Sequence, residues 1–388
     1  MPQVEAWERV FVRAEFLTST HGNLGCTACH KGNPEKFTKT DAHTDLVPYP
    51  SLSDAETYCG PCHSQQVSSF ETSLHLTQEG YHQRFEVRSG GMDLRTDDAM
   101  VAGFTKDCAK CHATCGECHI SKPRSVNGGL VSGHTFRRTP SQSNNCTACH
   151  GSRVGEEYTG AHSDKGIFMD VHSSKGYDCM FCHDGHEMHG DGNPYDYRYI
   201  EDSQIIAKCE DCHADVATSN SYHNQHWSGS GSKLSCQTCH SQAYKNCNGC
   251  HVNGEGITGS SYLTFKIGKN YLKSATRPYD FTPVRHIPIV PDTYDNWGGS
   301  ISLANFTAEP TWKYATPHNI QRWTVMTDTT GGVSCGRGTC HNVGTFLGNS
   351  DKYFLREDSL TIGVSDPSLQ QFLDQEKAAN QNVVVPKR

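Results

Sequence analysis

The chain has 388 residues, a formal net charge of -8 and a mean hydropathy of -0.63. Leu, Ile, Val and Phe supply 66 positions, about 17%, under the roughly 20% at which a chain loses the means to build a hydrocarbon core. Modest charge and varied sequence argue against disorder, the acidity and lack of a basic stripe argue against a nucleic-acid partner, and no apolar run approaches the ~18 residues that span a bilayer.

Residues 1–10 (MPQVEAWERV) are charged and carry no apolar h-region, so no signal peptide is expected there. From residue 26 onward the cysteines arrive in pairs, each followed at once by a histidine. The first is Cys26-Thr-Ala-Cys29-His30. The same Cys-x-x-Cys-His spacing recurs at Cys59, Cys62 and His63; Cys108, Cys111 and His112; Cys115, Cys118 and His119; and Cys146, Cys149 and His150. It continues at Cys179, Cys182 and His183; Cys209, Cys212 and His213; Cys236, Cys239 and His240; and Cys247, Cys250 and His251. Ala113 and Thr114 alone separate two of these motifs. Nine motifs within residues 1–251 leave about 28 residues apiece, too few for separate domains. We expect short α-helices at the motifs and mostly irregular backbone between them, a fold organised around a chain of packed cofactors.

Residues 252–334 hold no cysteine. The stretch 262–267 (YLTFKI) alternates and reads as a strand, the small β content of the chain, and Pro283, Pro288, Pro291 and Pro310 are expected to interrupt the backbone beyond it. His286 and His318 lie in this segment, which reads as a flap donating ligands from outside. A tenth pair, Cys335-Gly-Arg-Gly-Thr-Cys340-His341, has four intervening residues, with Gly336 and Gly338 to shape the wider loop. Beyond it, residues 366–380 read as a C-terminal helix with Pro367 at its first position. The organisation expected is thus a nine-motif region to 251, a Cys-free flap over 252–334, and a tenth motif with a terminal helix over 335–388.

Cys-x-x-Cys-His is the attachment motif for c-type haem. Two thiols add to the two porphyrin vinyl groups, and the adjacent imidazole can become the proximal iron ligand. Zinc ribbons use paired cysteines but give no reason for a histidine after every pair, and local disulfides leave those histidines equally unexplained. The expected cofactor is therefore covalent haem c, ten per chain, or nine if the 335–341 motif is empty.

Thirteen further histidines lie outside the motifs. Ten bis-histidine irons need ten of them. The expected distal set is His21, His43, His75, His134, His172, His189, His223, His226, His286 and His318, with His82, His162 and His186 in reserve. His186 lies too near proximal His183 to reach the far face of the same haem. Methionine, the other common axial ligand, is not required by this count.

The motif array, with stretches such as CTACHGSRV, DVHSSKGYDCMFCHDGHEMHG and VRHIPI followed by TWKYATPHNIQR, resembles the multihaem c-type cytochromes of bacterial and archaeal respiration. That resemblance implies electron transfer in the periplasm or outside the cell, and export, because haem c is attached after the chain crosses the membrane. Partners would be redox proteins or extracellular acceptors. At an effective dielectric of ~20, charges ~10 Å apart interact by roughly 1.7 kcal/mol, enough to spread the potentials of neighbouring haems. Three readings compete: an electron conduit without a substrate site, a homopolymeric extracellular filament, and a reductase of a small nitrogen or sulfur oxyanion. The last calls for an open or Lys-ligated iron, and no Cys-x-x-Cys-Lys motif occurs.

Overall fold

A computed structural model of the chain describes residues 12–161, 163–195, 207–216, 220–227, 233–242, 265–287, 289–298, 301–327, 353–360 and 367–386. Short helices and irregular connections dominate, with one small sheet. The backbone divides into two units, each assembled from separated stretches. The first comprises residues Met1–Glu79, Cys108–His150 and Asp178–Tyr195, and the second Gly80–Asp107, Gly151–Tyr177 and Asp196–Arg388. Residues 1–251, which carry the nine regular motifs, thus contribute to both units.

In the first unit the motifs are themselves the helices. Gly25, at φ +80°, turns the chain into the helix Cys26–His30. Asp54 starts the longest helix, Ala55–Phe70, by accepting the Thr57 N–H at 2.9 Å. Pro61 lies inside it without an N–H to donate, and the helix kinks at His63 (φ -122°, ψ 38°). Thr114 and Glu117 form a reciprocal capping box at the start of Cys115–His119. Glu117 is buried and also accepts the backbone and side-chain N–H groups of Arg124. Almost none of this unit is hydrocarbon core. Among the described residues, its buried apolar side chains are Val67 and Tyr195.

The second unit has an apolar core. Strands β1 (Lys266–Lys269), β2 (Phe281–His286) and β3 (Trp312–Tyr314) form an antiparallel sheet in that order, with Ile267 opposite Pro283 and Val284 opposite Tyr314. The strand expected at 262–267 is seen from Lys266, its earlier part lying outside the described residues up to 264. Pro283, expected to interrupt, sits inside the central strand. It gives up a donor, but its carbonyl still accepts the Ala315 N–H at 3.0 Å. Val284 and Trp312 pack with Leu355, Leu360 and Val383. The C-terminal helix, Pro367–Ala379, begins on its proline as expected. Asn380 just past it receives the Trp312 N–H at 2.9 Å, and Val383 accepts the Lys269 N–H at 2.8 Å, so the tail closes onto the sheet. The segment read as a flap therefore supplies the sheet of this unit.

Leu355 is fully buried in that cluster. Leu355→Ala is expected to destabilise the unit by about 2–5 kcal/mol through lost transfer energy and a cavity, measurable as a lowered guanidinium midpoint.

Candidate metal centres

A helical turn explains the motif. Residues i, i+3 and i+4 share one face of a helix, so two thiols and the imidazole after them point to the same side. Cys26–His30, Cys115–His119 and Cys236–His240 are complete one-turn helices of this kind. Cys179–Cys182 and Cys209–Cys212 form the turn and end it at the histidine. None of the sixteen described cysteines is joined in a disulfide, so the disulfide alternative gains no support among the described residues. The zinc alternative gains nothing either. Among the described residues the single group of three ligating atoms within 4.8 Å is Cys209, Glu210 and Cys236, and its cysteines come from two different motifs.

Six motif imidazoles each face one imidazole from elsewhere in the chain. Ring centroids are 6.1 Å apart for His63 and His21, 6.1 Å for His30 and His134, 6.2 Å for His150 and His75, and 6.0 Å for His119 and His189. In the second unit the values are 6.1 Å for His213 and His172 and 6.2 Å for His240 and His223. With about 2 Å per metal–imidazole bond, two rings on opposite sides of one metal ion have centroids about 6 Å apart. Phe and Tyr pairs of this chain also meet at 6.1–6.2 Å, so what singles these six out is that each joins a motif histidine to a histidine from elsewhere in the chain. The residues present therefore fit a haem iron with two axial histidines.

The second ring nitrogen of several of these histidines is already committed. Nδ1 donates to a backbone carbonyl in His30 (Val47, 2.7 Å), His119 (Arg137, 2.6 Å), His240 (Gln321, 3.0 Å) and His223 (Val216, 2.8 Å). A carbonyl can only accept, so Nδ1 carries the proton and Nε2 keeps the lone pair a metal needs. His172 and His183 instead meet carboxylates, Asp170 and Glu187, each at 2.9 Å. Burial pulls His21, His75, His134, His189 and His240 below the ordinary histidine range, and a neighbouring imidazole adds to this in each case. Neutral rings are the ligating form.

Local structure aims each distal ring. His134 sits at φ +63°, a left-handed conformation rarely taken by residues with a side chain. Phe136 stacks flat on His21 at 3.9 Å. Ser73 caps the turn that carries His75 and donates its hydroxyl to the Met188 carbonyl at 2.9 Å, beside His189. Phe136, Asp170, Glu187 and Ser73 carried no sequence signal of their own, although Glu187 stands one helical turn after His183.

The other candidates occupy varied settings. His43 closes the short helix Lys39–Ala42, and His186 lies in Gly185–His189. His112 is lowered by burial, with Arg124 adding to it. His82 is buried against Phe104 (4.8 Å) and His226 lies in Ser221–Trp227. His286 sets Nε2 3.3 Å from Glu376, and the His318 backbone N–H donates to Glu157 at 2.9 Å. Cys247, Cys250, His251, Cys335, Cys340, His341 and His162 lie outside the described residues.

Residues 58–151, containing four motifs, match the family model described as cytochrome c554 and c-prime. That match and the motif array support reading the chain as a multihaem c-type cytochrome. No curated protein and no solved structure matches it. Haem c is thus its covalent cofactor and electron carriage its role, exchanged with redox partners. Among the described residues no helix is long and apolar enough to cross a membrane.

The cytochrome's local geometry can be probed at Gly190 and at Glu157. Gly190 has φ +79°, and a Cβ there would meet the Ser69 carbonyl oxygen at 3.0 Å and the Ser73 backbone at 3.3 Å. Gly190→Ala should displace both His189 and His75, changing two low-spin haem signals by electron paramagnetic resonance and leaving the rest. Burial pushes the Glu157 carboxyl up to about 8, against the pull of the His318 N–H and Arg285. The folded state then holds a proton that the unfolded state releases above about 4.5, so stability falls as pH rises between those values. Guanidinium midpoints across that window should drop less in Glu157→Gln.

Proposed function

We propose that the cytochrome conducts electrons along about ten closely packed haems, each closed by two histidines, in periplasmic or extracellular respiration. The carrying observation is the set of six imidazole pairs at 6.0–6.2 Å. Each haem iron, when bound, takes up and releases one electron. The chain's own residues do the rest. Paired imidazoles such as His21 and His63 would hold the metal from the same two nitrogens in both oxidation states, which would keep reorganisation small.

Close packing is supported by the thiols. The Cys59 and Cys115 thiols lie close enough to perturb one another, as do those of Cys111 and Cys149 and of Cys146 and Cys179, each pair joining two different motifs of the first unit. Cys209 and Cys236 do the same in the second. These sulfurs are the attachment points, so porphyrins hung from them are immediate neighbours. His43, His226, His286 and His318 complete the expected distal set on this reading. The acidic chain, with two propionates per haem, favours basic partners or positively charged mineral surfaces. A filament is a second reading the sequence raises, and no observation on the described residues favours it.

The test is stoichiometry with spin state. Purified holoprotein is expected to contain ten irons and ten covalent haems per chain, all low-spin. A persistent high-spin signal of one haem per chain, or turnover of nitrite or tetrathionate with a reduced dye, would replace the closed conduit with a reductase.

A further inference from the structure

The ring-nitrogen anchors fall into two chemical kinds. His30, His119, His223 and His240 are backed by neutral backbone carbonyls. His172 and His183 are backed by carboxylates. We propose that Asp170 and Glu187 are positioning residues that hold one haem in each unit at the low-potential end of that unit's redox scale. This rests on the bis-histidine haem reading above.

Both carboxylates are built into place. Asp170 is 1% exposed. Its Oδ1 accepts the backbone N–H of His172 at 2.7 Å and the ring Nδ1–H at 2.9 Å, while Oδ2 accepts the Ile320 N–H at 2.6 Å. Tyr158 accepts the Asp170 N–H, and Ile320 accepts that of Val171, so the residue is fixed from both sides. Glu187 lies one helical turn after His183, with both carboxylate oxygens 2.9 Å from Nδ1. Its backbone N–H is capped by Asp184 at 2.9 Å. The sequence His183-Asp184-Gly185-His186-Glu187 therefore encodes ligand, cap and carboxylate in five consecutive positions.

The physical effect has one sign. A carboxylate drawing on the Nδ1 proton gives the ring anionic character and makes Nε2 a stronger donor. A stronger donor stabilises the ferric ion more than the ferrous one, so the potential falls. The fixed negative charge beside the ring acts in the same direction. A carbonyl offers only a dipole. In the second unit the contrast is sharpest, because the His223 and His240 pair has a carbonyl behind both rings. An electron shared between that site and the His172 and His213 site would rest on the former.

Full-length holoprotein carrying Asp170→Asn or Glu187→Gln tests this by spectroelectrochemical titration. Each change keeps shape and removes charge. In each variant one redox wave is expected to move to higher potential, and the low-spin resonance of the same haem to shift. A charge acting only from a distance would move the wave without the resonance. If Asp170→Asn yields no holoprotein, Asp170→Glu, which misplaces the charge, should move the same wave upward by less. Unshifted waves and resonances in variants that retain all their low-spin haems would overturn the proposal and leave the haem reading intact. His172→Ala separates the two: it should exchange one low-spin signal for a high-spin one, and an unchanged spectrum would instead remove His172 as a ligand.

Discussion

The constraint on which this cytochrome depends is that a one-turn helix must present two sulfurs and an imidazole to the same flat ring. Once that is met, the ring is tied to the backbone and becomes available as interior. The first unit carries six motifs and buries only Val67 and Tyr195 as apolar side chains among the described residues. A body of that size cannot offset its conformational entropy with so little hydrocarbon. On the haem reading proposed above, porphyrin faces, each far larger than a leucine, would supply the missing contact area, and iron–imidazole bonds would cross-link the loops.

The second unit solves the problem differently. Its sheet, the Trp312 and Val284 cluster and the C-terminal helix form a conventional apolar core. Arg88 is buried there by three backbone carbonyls, those of Phe306, Glu309 and Pro310. His213 and His240 thus belong to a unit that has a scaffold of its own, whereas the motifs of the first unit would draw on the proposed haems for shape.

Much of this was legible in the sequence because the chemistry is local. The motif spacing is a helical spacing, so the short helices can be read from residue order alone, and with them the haem attachment that the motifs lead one to expect. Pro367 likewise marked its helix start. What is non-local was not legible. Nothing near His134 says that it faces His30, since that pairing is set by the path of over a hundred intervening residues. Pro283 inside β2 defied a sound rule because the carbonyl side of the ladder was enough. Asp170 was invisible for a related reason: its third partner, Ile320, is a backbone group far along the chain.

Those sequence separations bear on how the molecule is made. His21 precedes His63, so that couple is complete as soon as the second motif emerges. His30 waits for His134, His75 for His150 and His119 for His189. A chain threading out N-terminus first therefore exposes half-finished centres in a fixed order, and the first unit reaches its final form only after residue 189 has been released. Slow emergence of the chain would lengthen the life of these open intermediates, and with it their exposure to stray ligands and oxidants.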